Sequence, residues 1–182
     1  MQPIKLPDQQ RLRERWHYDP DTGEATWKPL RATEPHHYSF NAQHAGKPVG
    51  SCSKQRGYLK VRFDGIYYQL HRCLFKLMTG LEPRIVDHAD GDPRNNRLSN
   101  LRGCNYSDSN ANRRSLNRTE SGFRGVTRDG DRWRARVKRA GKYHEYGRFA
   151  IADLLQAAHA AYRGRIELHG EFANHSTMGP TT

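Results

Sequence analysis

Cysteine is scarce in this chain. Cys52, Cys73 and Cys104 are three of 182 residues, they lie far apart, and no C-x-x-C pair occurs. A disulfide framework and a cysteine-based zinc site are therefore not expected. No apolar run approaches the roughly 18 residues of a membrane span. The N-terminal MQPIKLPDQQRLRERW lacks the apolar core of a secretory signal. These absences lead to the expectation of a cytoplasmic protein that spans no membrane. Hydrophobic residues make up 35%, under the roughly 45–50% of an average globular chain, a figure that includes glycine. Two small modules are expected rather than one large core. Acidic residues are also few, with 19 Asp plus Glu against 31 Lys plus Arg and a net charge of +12. Such a surplus repels itself and calls for a polyanion, nucleic acid first and an anionic membrane second.

The local patterns are short. Tyr18 to Trp27 carries a Pro-Asp-Thr-Gly reversal and reads as a hairpin. Residues 30–48, with His36, His37 and His44, lack periodicity and read as a loop of solvated or phosphate-facing histidines. Gly57 to Phe63 alternates, Asp64-Gly65 turns, and Ile66 to Leu70 returns. Leu70, Cys73, Leu74, Leu77 and Met78 fall at helical spacing, and Thr79-Gly80 ends that helix. Residues 84–103 predict two short strands around a turn. Residues 106–114 predict a polar helix with Ser107 as its N-cap. The polar stretch 115–121 reads as a linker. Strand-like runs follow at 123–128, 132–138 and 142–149. A helix over 151–168 follows them, with Ile151, Leu154, Leu155, Ala158, Tyr162 and Ile166 as its apolar stripe. The alanines at 157–161 read as core packing, and residues 174–182 as a flexible tail.

The run Ile85-Val86-Asp87-His88-Ala89-Asp90-Gly91-Asp92-Pro93-Arg94-Asn95-Asn96-Arg97-Leu98-Ser99-Asn100-Leu101-Arg102 carries chemistry. An acid holding a divalent metal beside an imidazole facing water is a means of cutting a phosphodiester. Histidine titrates near cellular pH, and a metal neutralises charge growing on the phosphate oxygens. A carboxylate with an amide oxygen is a hard donor set suited to Mg²⁺ or Mn²⁺. The string resembles the HNH nuclease signature of phage and intron homing endonucleases, a hydrophobic residue followed by D-H-x-[DN]-G-[DN]-x-x-[DN]-N-R-x-x-N-L-R. Leu70-His71-Arg72-Cys73-Leu74-Phe75 is similar to the helix that precedes it there. The resemblance implies a ββα-metal (His-Me finger) fold and hydrolysis leaving 5′-phosphate and 3′-hydroxyl ends. It makes Asp87 the metal-binding acid, His88 the general base and Asn100 a structural asparagine. His71 is either a second group near the scissile bond or a histidine that hydrogen-bonds the nuclease hairpin. The helical metal ligand of the family lies nine residues after Asn100, where this sequence has Ser109; Asn110 is one place later, and Asn112 matches a further downstream asparagine. Asn110 is the favoured ligand and Ser109 the alternative.

In the second half Arg132-Trp133-Arg134-Ala135-Arg136-Val137-Lys138 alternates strictly, so the four cations share one face of a strand and Trp133, Ala135 and Val137 the other. No acidic partner is expected on the cationic face, which is expected to lie open. Arg124, Arg128, Lys142 and Arg148 are expected to add charge from neighbouring strands. From 117 to 150 ten Lys or Arg face four Asp or Glu, an excess that suits a sheet laid into the major groove. Phe123-Arg124-Gly125-Val126, Trp133-Arg134-Ala135-Arg136-Val137, Tyr146-Gly147-Arg148-Phe149 and Ala157-Ala158-His159-Ala160-Ala161-Tyr162 resemble the ethylene-response-factor (apetala-two) type DNA-binding domain. Tyr146 departs from it, since the family has Leu or Trp there. The resemblance implies a three-stranded antiparallel sheet on one helix. Its DNA contacts would fall among Arg124, Arg128, Arg132, Trp133, Arg134, Arg136, Lys138, Lys142 and Arg148.

The expected protein is an α+β chain. An HNH module spans 1–114 with its core motif at 84–114, a linker spans 115–121, and a DNA-binding domain spans 122–173. Its expected partner is double-stranded DNA, with no obligate protein partner and a monomeric state. Its expected activity is metal-dependent nicking or cleavage. A DNA-binding regulator with a weakened site is the alternative.

Overall fold

The structure, a computed structural model, describes residues 4–31, 33–52, 57–112 and 120–173. Most of the expected linker and all of the expected tail lie outside the described residues. The chain mixes helices with small antiparallel sheets and divides into two compact units, Met1–Cys104 and Asn105–Thr182. The division thus falls ahead of the polar helix, not behind it as the 1–114 boundary expects.

The first unit runs α1 (Gln9–Arg15), β1 (Trp16–Tyr18), β2 (Ala25–Trp27), α2 (Pro35–His44), β3 (Ser51–Cys52), β4 (Leu59–Phe63), β5 (Ile66–Gln69), α3 (Leu70–Thr79), β6 (Ile85–His88) and β7 (Leu101–Cys104). The pairs β1–β2 and β6–β7 are antiparallel ribbons, and β3–β4–β5 is a three-stranded antiparallel sheet. Its core gathers Leu12, Trp16, Phe63, Leu70, Cys73 and Leu74, all nearly or wholly buried. The helical spacing read in α3 puts Leu70, Cys73, Leu74 and Leu77 inside, and the helix stops where Gly80 turns left-handed and donates to the Lys76 carbonyl. Burial pushes the Cys73 thiol up to about 12, so it packs as an apolar group.

The segment 30–48 is not all loop, because Pro35–His44 is helical. It buries no residue, which is why no apolar period announces it. Long-range contacts hold it instead. The Phe40 ring meets Trp27 edge-on at 5.4 Å, and Arg15 lies over Phe40 at 4.7 Å. Asn41 clamps Leu30 through both main-chain groups, at 2.7 and 2.8 Å.

The second unit runs α4 (Tyr106–Asn112), β8 (Val126–Asp129), β9 (Arg132–Arg139), β10 (Lys142–Ala150) and α5 (Leu154–His169). The strands form one antiparallel sheet in the order β10–β9–β8. It packs on α5 through Val126, Trp133, Ala135, Ala157, Ala160 and Ala161. The expected apolar stripe of α5 is corrected here: Leu155 is 74% exposed, Ile166 42% and Ile151 40%. The sheet supplies the bulk through Trp133, Tyr146 and Phe149, so the helix must present small residues. Gly164 is the extreme case, since the Tyr146 ring occupies the space that a Cβ there would need. Tyr146 is also the extra residue of a bulge in β10, between Glu145 and Gly147. The N-cap of α4 is corrected as well. Asn105 Oδ1 accepts from the Asp108 N–H at 3.0 Å, while Ser107 lies inside the helix and accepts from the Ala140 N–H.

Candidate functional site

Strand β6 presents Asp87 and His88 to opposite faces, as neighbours on a strand must be. Asp87 stands directly across from Arg102 on β7, and Arg102 Nη2 donates to its Oδ2 at 3.3 Å. His88 turns inward and is only 3% exposed. Its Nε2 lies 3.2 Å from Asn96 Oδ1. An amide oxygen only accepts, so Nε2 is the donor of this contact. The ring also packs against His71 at 4.8 Å and Tyr58 at 5.9 Å.

His71 is buried at the start of α3 and bonds the Val86 backbone. Burial, then the neighbouring His88 and Arg72, push its pKa down to about 3, so it is a neutral packing and hydrogen-bonding ring at neutral pH.

The loop between β6 and β7 is tied by Asn100. Its Nδ2 donates to Asp90 Oδ1 at 3.0 Å and to the Asn95 carbonyl at 2.8 Å, and its Oδ1 accepts from the Asp90 N–H at 3.0 Å. Burial alone would raise the Asp90 pKa, but donors from Asp92, Asn95 and Asn100 outweigh it and hold the group below its usual range. The β1–β2 hairpin braces this loop from outside. Tyr18 Oη donates to the Asn96 carbonyl at 2.7 Å, and the Leu98 N–H to the Pro20 carbonyl at 2.9 Å. Gly23, at φ 80°, sits so close that a Cβ would meet the Asn96–Arg97 backbone at 2.5 to 2.6 Å. Sequence reasoning missed Asn96, Tyr58 and Arg102. Asn96 stood inside the motif as the second of two asparagines, but nothing local shows which of the pair turns toward His88.

Ser109, Asn110 and Asn112 lie on α4 of the second unit. Among the described residues no three His, Cys, Asp or Glu side chains form a metal-binding cluster. Asp87 offers the hard oxygen donor that fits Mg²⁺ or Mn²⁺ in a site completed by neutral donors and water.

Residues 68–111 match the HNH endonuclease family. The chain is also 37% identical over 90 residues to Protein 3.8 of Escherichia phage T7, a match spanning 48% of this chain and 72% of Protein 3.8. The chain is a homologue of Protein 3.8 and carries an HNH endonuclease domain at residues 68–111. No solved structure matches it. The HNH domain takes in the end of β5, then α3, β6, β7 and most of α4, and it implies a nucleic-acid endonuclease. No helix among the described residues is long and apolar enough to cross a membrane.

In the second unit of this HNH protein, β9 alternates as its sequence demands, with Trp133, Ala135 and Val137 buried and Arg132 and Lys138 exposed. Three points correct the reading of the cationic face. Trp133 faces α5, is 6% exposed and donates from Nε1 to the Ile151 carbonyl at 3.0 Å, so it packs and is no surface contact. Arg128 stands opposite Trp133, and Lys142 opposite Arg139, so neither shares the face of Arg134. Arg148, opposite Arg134, does share it. Lastly, neighbouring strands bring acids to this face. Glu145 takes Arg134 at 3.1 Å and Arg148 at 2.9 Å, and Asp129 takes Arg148 at 3.4 Å. Hydrogen bonds from Arg148 and Arg134 hold the Glu145 carboxyl below its usual range. Arg124 is half-buried, away from this face. Its carbonyl accepts from Arg165, and its Nη2 reaches the Asn110 carbonyl at 3.4 Å.

Proposed function

We propose that this protein is a metal-dependent DNA endonuclease of the homing type that nicks or cleaves duplex DNA, acting in the cytoplasm of a phage host. One observation carries the reading. His88 is held through Nε2 against Asn96 Oδ1, next in sequence to the Asp87 carboxylate. In the proposed reaction His88 Nδ1 takes a proton from water. The oxygen of that water bonds to phosphorus, the P–O3′ bond breaks, and the departing 3′ oxygen takes a proton from solvent water, which leaves a 3′-hydroxyl opposite a 5′-phosphate. Asp87 would hold Mg²⁺ or Mn²⁺ with Asn110 or Ser109, and the ion would neutralise charge on the phosphate oxygens. Asn100 keeps the loop in place and touches no reacting atom. The second unit would dock on the duplex as an ethylene-response-factor type domain, through Arg132, Arg134, Arg136 and Lys138.

The test uses supercoiled plasmid with Mg²⁺ or Mn²⁺, or with EDTA. Metal-dependent relaxed or linear product is expected, and Asp87→Ala or His88→Ala should reduce it by about 10²-fold or more, with binding nearly intact. Cutting by either variant at the wild-type rate sinks the assignment. Ser109 in the ligand position supports a second reading, a DNA-binding regulator with a weakened site. A retarded band with no product under any metal favours it. An Mg²⁺ titration of Asn110→Ala and Ser109→Ala identifies the helical donor, because only loss of the true donor raises the metal requirement.

A further inference from the structure

In the second unit a cleft of about 760 Å³ opens where β8 has ended. Strand β8 pairs with β9 only up to Ala135, and the Arg136 N–H still donates to the Gly125 carbonyl at 2.8 Å, so that edge of β9 loses its β8 neighbour from Val137 onward. Helix α4 and the last turns of α5 wall the space. Four cations line it, Arg124, Arg136, Lys138 and Arg165, and no Asp or Glu is among its described lining residues.

Two of the lining groups are buried and incompletely bonded. Arg165 is 6% exposed and gives Nη1 to the Arg124 carbonyl at 2.6 Å, while its Nε has no partner among the described residues. His169 is 8% exposed and bonds the Lys138 backbone, while its Nδ1 has no partner among them. A buried polar atom left without a partner costs about 1–3 kcal/mol, and more when charged. Folding retains two such groups side by side in a space with room for a ligand, since binding pockets run to about 300–1,000 Å³. At the rim stand two exposed tyrosines, Tyr106 and Tyr143, with the Arg136 guanidinium stacked 4.5 Å over Tyr143.

We propose that this cleft binds the terminal phosphate of a nucleotide, with Arg165 and His169 at its floor and the base stacked on a rim tyrosine. The four cations that line the cleft, Arg165 at its floor among them, call for an anion rich in acceptor oxygens, and a phosphate monoester has three. Recessed donors favour a terminal group, because a backbone diester carries chain on both sides and cannot lower its phosphate between buried residues. The tyrosines favour a base over a bare anion. Two sources share this chemistry, a free mononucleotide and the 5′-phosphorylated end of a strand. The inference does not rest on the nuclease reading, since no residue of β6 or β7 enters it.

Calorimetric titration of the full chain with dAMP, with a 5′-phosphorylated tetranucleotide and with the same tetranucleotide bearing a 5′-hydroxyl tests it. Saturable binding is expected for one or both phosphorylated probes, at least tenfold tighter than for the 5′-hydroxyl strand. Binding of dAMP identifies a free nucleotide as sufficient, and binding of the phosphorylated strand alone identifies a strand end. Arg165→Gln should weaken binding roughly tenfold or more, the value of a charged hydrogen bond. His169→Gln and the surface change Tyr106→Ala, each with melting unchanged, should weaken it several-fold even if Arg165→Gln fails to fold. Equal binding of phosphorylated and hydroxyl strands overturns the proposal. So does the absence of saturable binding, or binding indifferent to both His169→Gln and Tyr106→Ala.

Discussion

His71 and His88 lie ring against ring, 4.8 Å between centroids and inclined by 58°. The first comes from the start of α3 and the second from the end of β6, so the contact locks the helix to the strand that carries Asp87.

Burial of His71, with the His88 ring beside it, makes the fold acid-sensitive. Unfolded, a histidine gains its proton near pH 6.5, whereas folded His71 gains it only near pH 3. Between those values the unfolded state holds more protons. Stability is therefore full above about pH 6.5 and is lost progressively as pH falls toward 3. Urea midpoints measured from pH 7.5 to 5, above the range of most carboxylates, should fall for the wild type. His71→Gln should flatten the slope without abolishing it, because His169 is shifted downward by burial as well. An unchanged slope in the variant would assign the effect elsewhere.

Asn96 accepts from His88 Nε2. Asn96→Ala should lower cleavage by about 10-fold or more, within the roughly 10²–10⁴-fold worth of a general base, while DNA binding stays near wild type. Asn96→Asp keeps an acceptor toward Nε2 and should retain more activity than Asn96→Ala. If the two variants cleave alike, the Nε2 bond does not position the base.

Glu145 pairs with two cations of the proposed docking face. It holds Arg134 and Arg148 in exposed pairs that solvent and salt screen. Glu145→Gln should therefore raise DNA affinity several-fold at low salt and leave the melting temperature within a few degrees. Arg136→Ala, on the same face, should cost about 1–3 kcal/mol if the residue reads a base. Titrations across a salt series read both, and an affinity that falls in Glu145→Gln would place the DNA elsewhere.

Gly164 is a packing position and not a flexible one. Gly164→Ala gains helix propensity but drives a methyl into the Tyr146 ring. Overpacking of this kind costs about 1–3 kcal/mol, so the second unit should melt earlier. A paired Tyr146→Leu should recover part of the loss, and a variant that melts later than wild type would contradict the packing.

The order of residues along the chain determined whatever depends on near neighbours. Alternation along β9 assigns its two faces, because side chains two apart share a side. The spacing of Leu70, Cys73, Leu74 and Leu77 and the stop at Gly80 define α3. The Asp87–His88 string marks a nuclease domain before any strand is drawn. Tertiary structure decided everything set by distant partners. Helix α2 exists through Trp27 and Arg15, outside its own span. The buried side of α5 is its alanine side because bulk comes from the sheet across from it. Acids reach the Arg134 face only through the pairing of β8 and β10 with β9. The acceptor for His88 Nε2 is Asn96, eight residues away along the chain and brought back by the loop. Periodicity reports the side of an element on which a residue sits. Only packing decides what meets it there, because that partner arrives from another part of the chain.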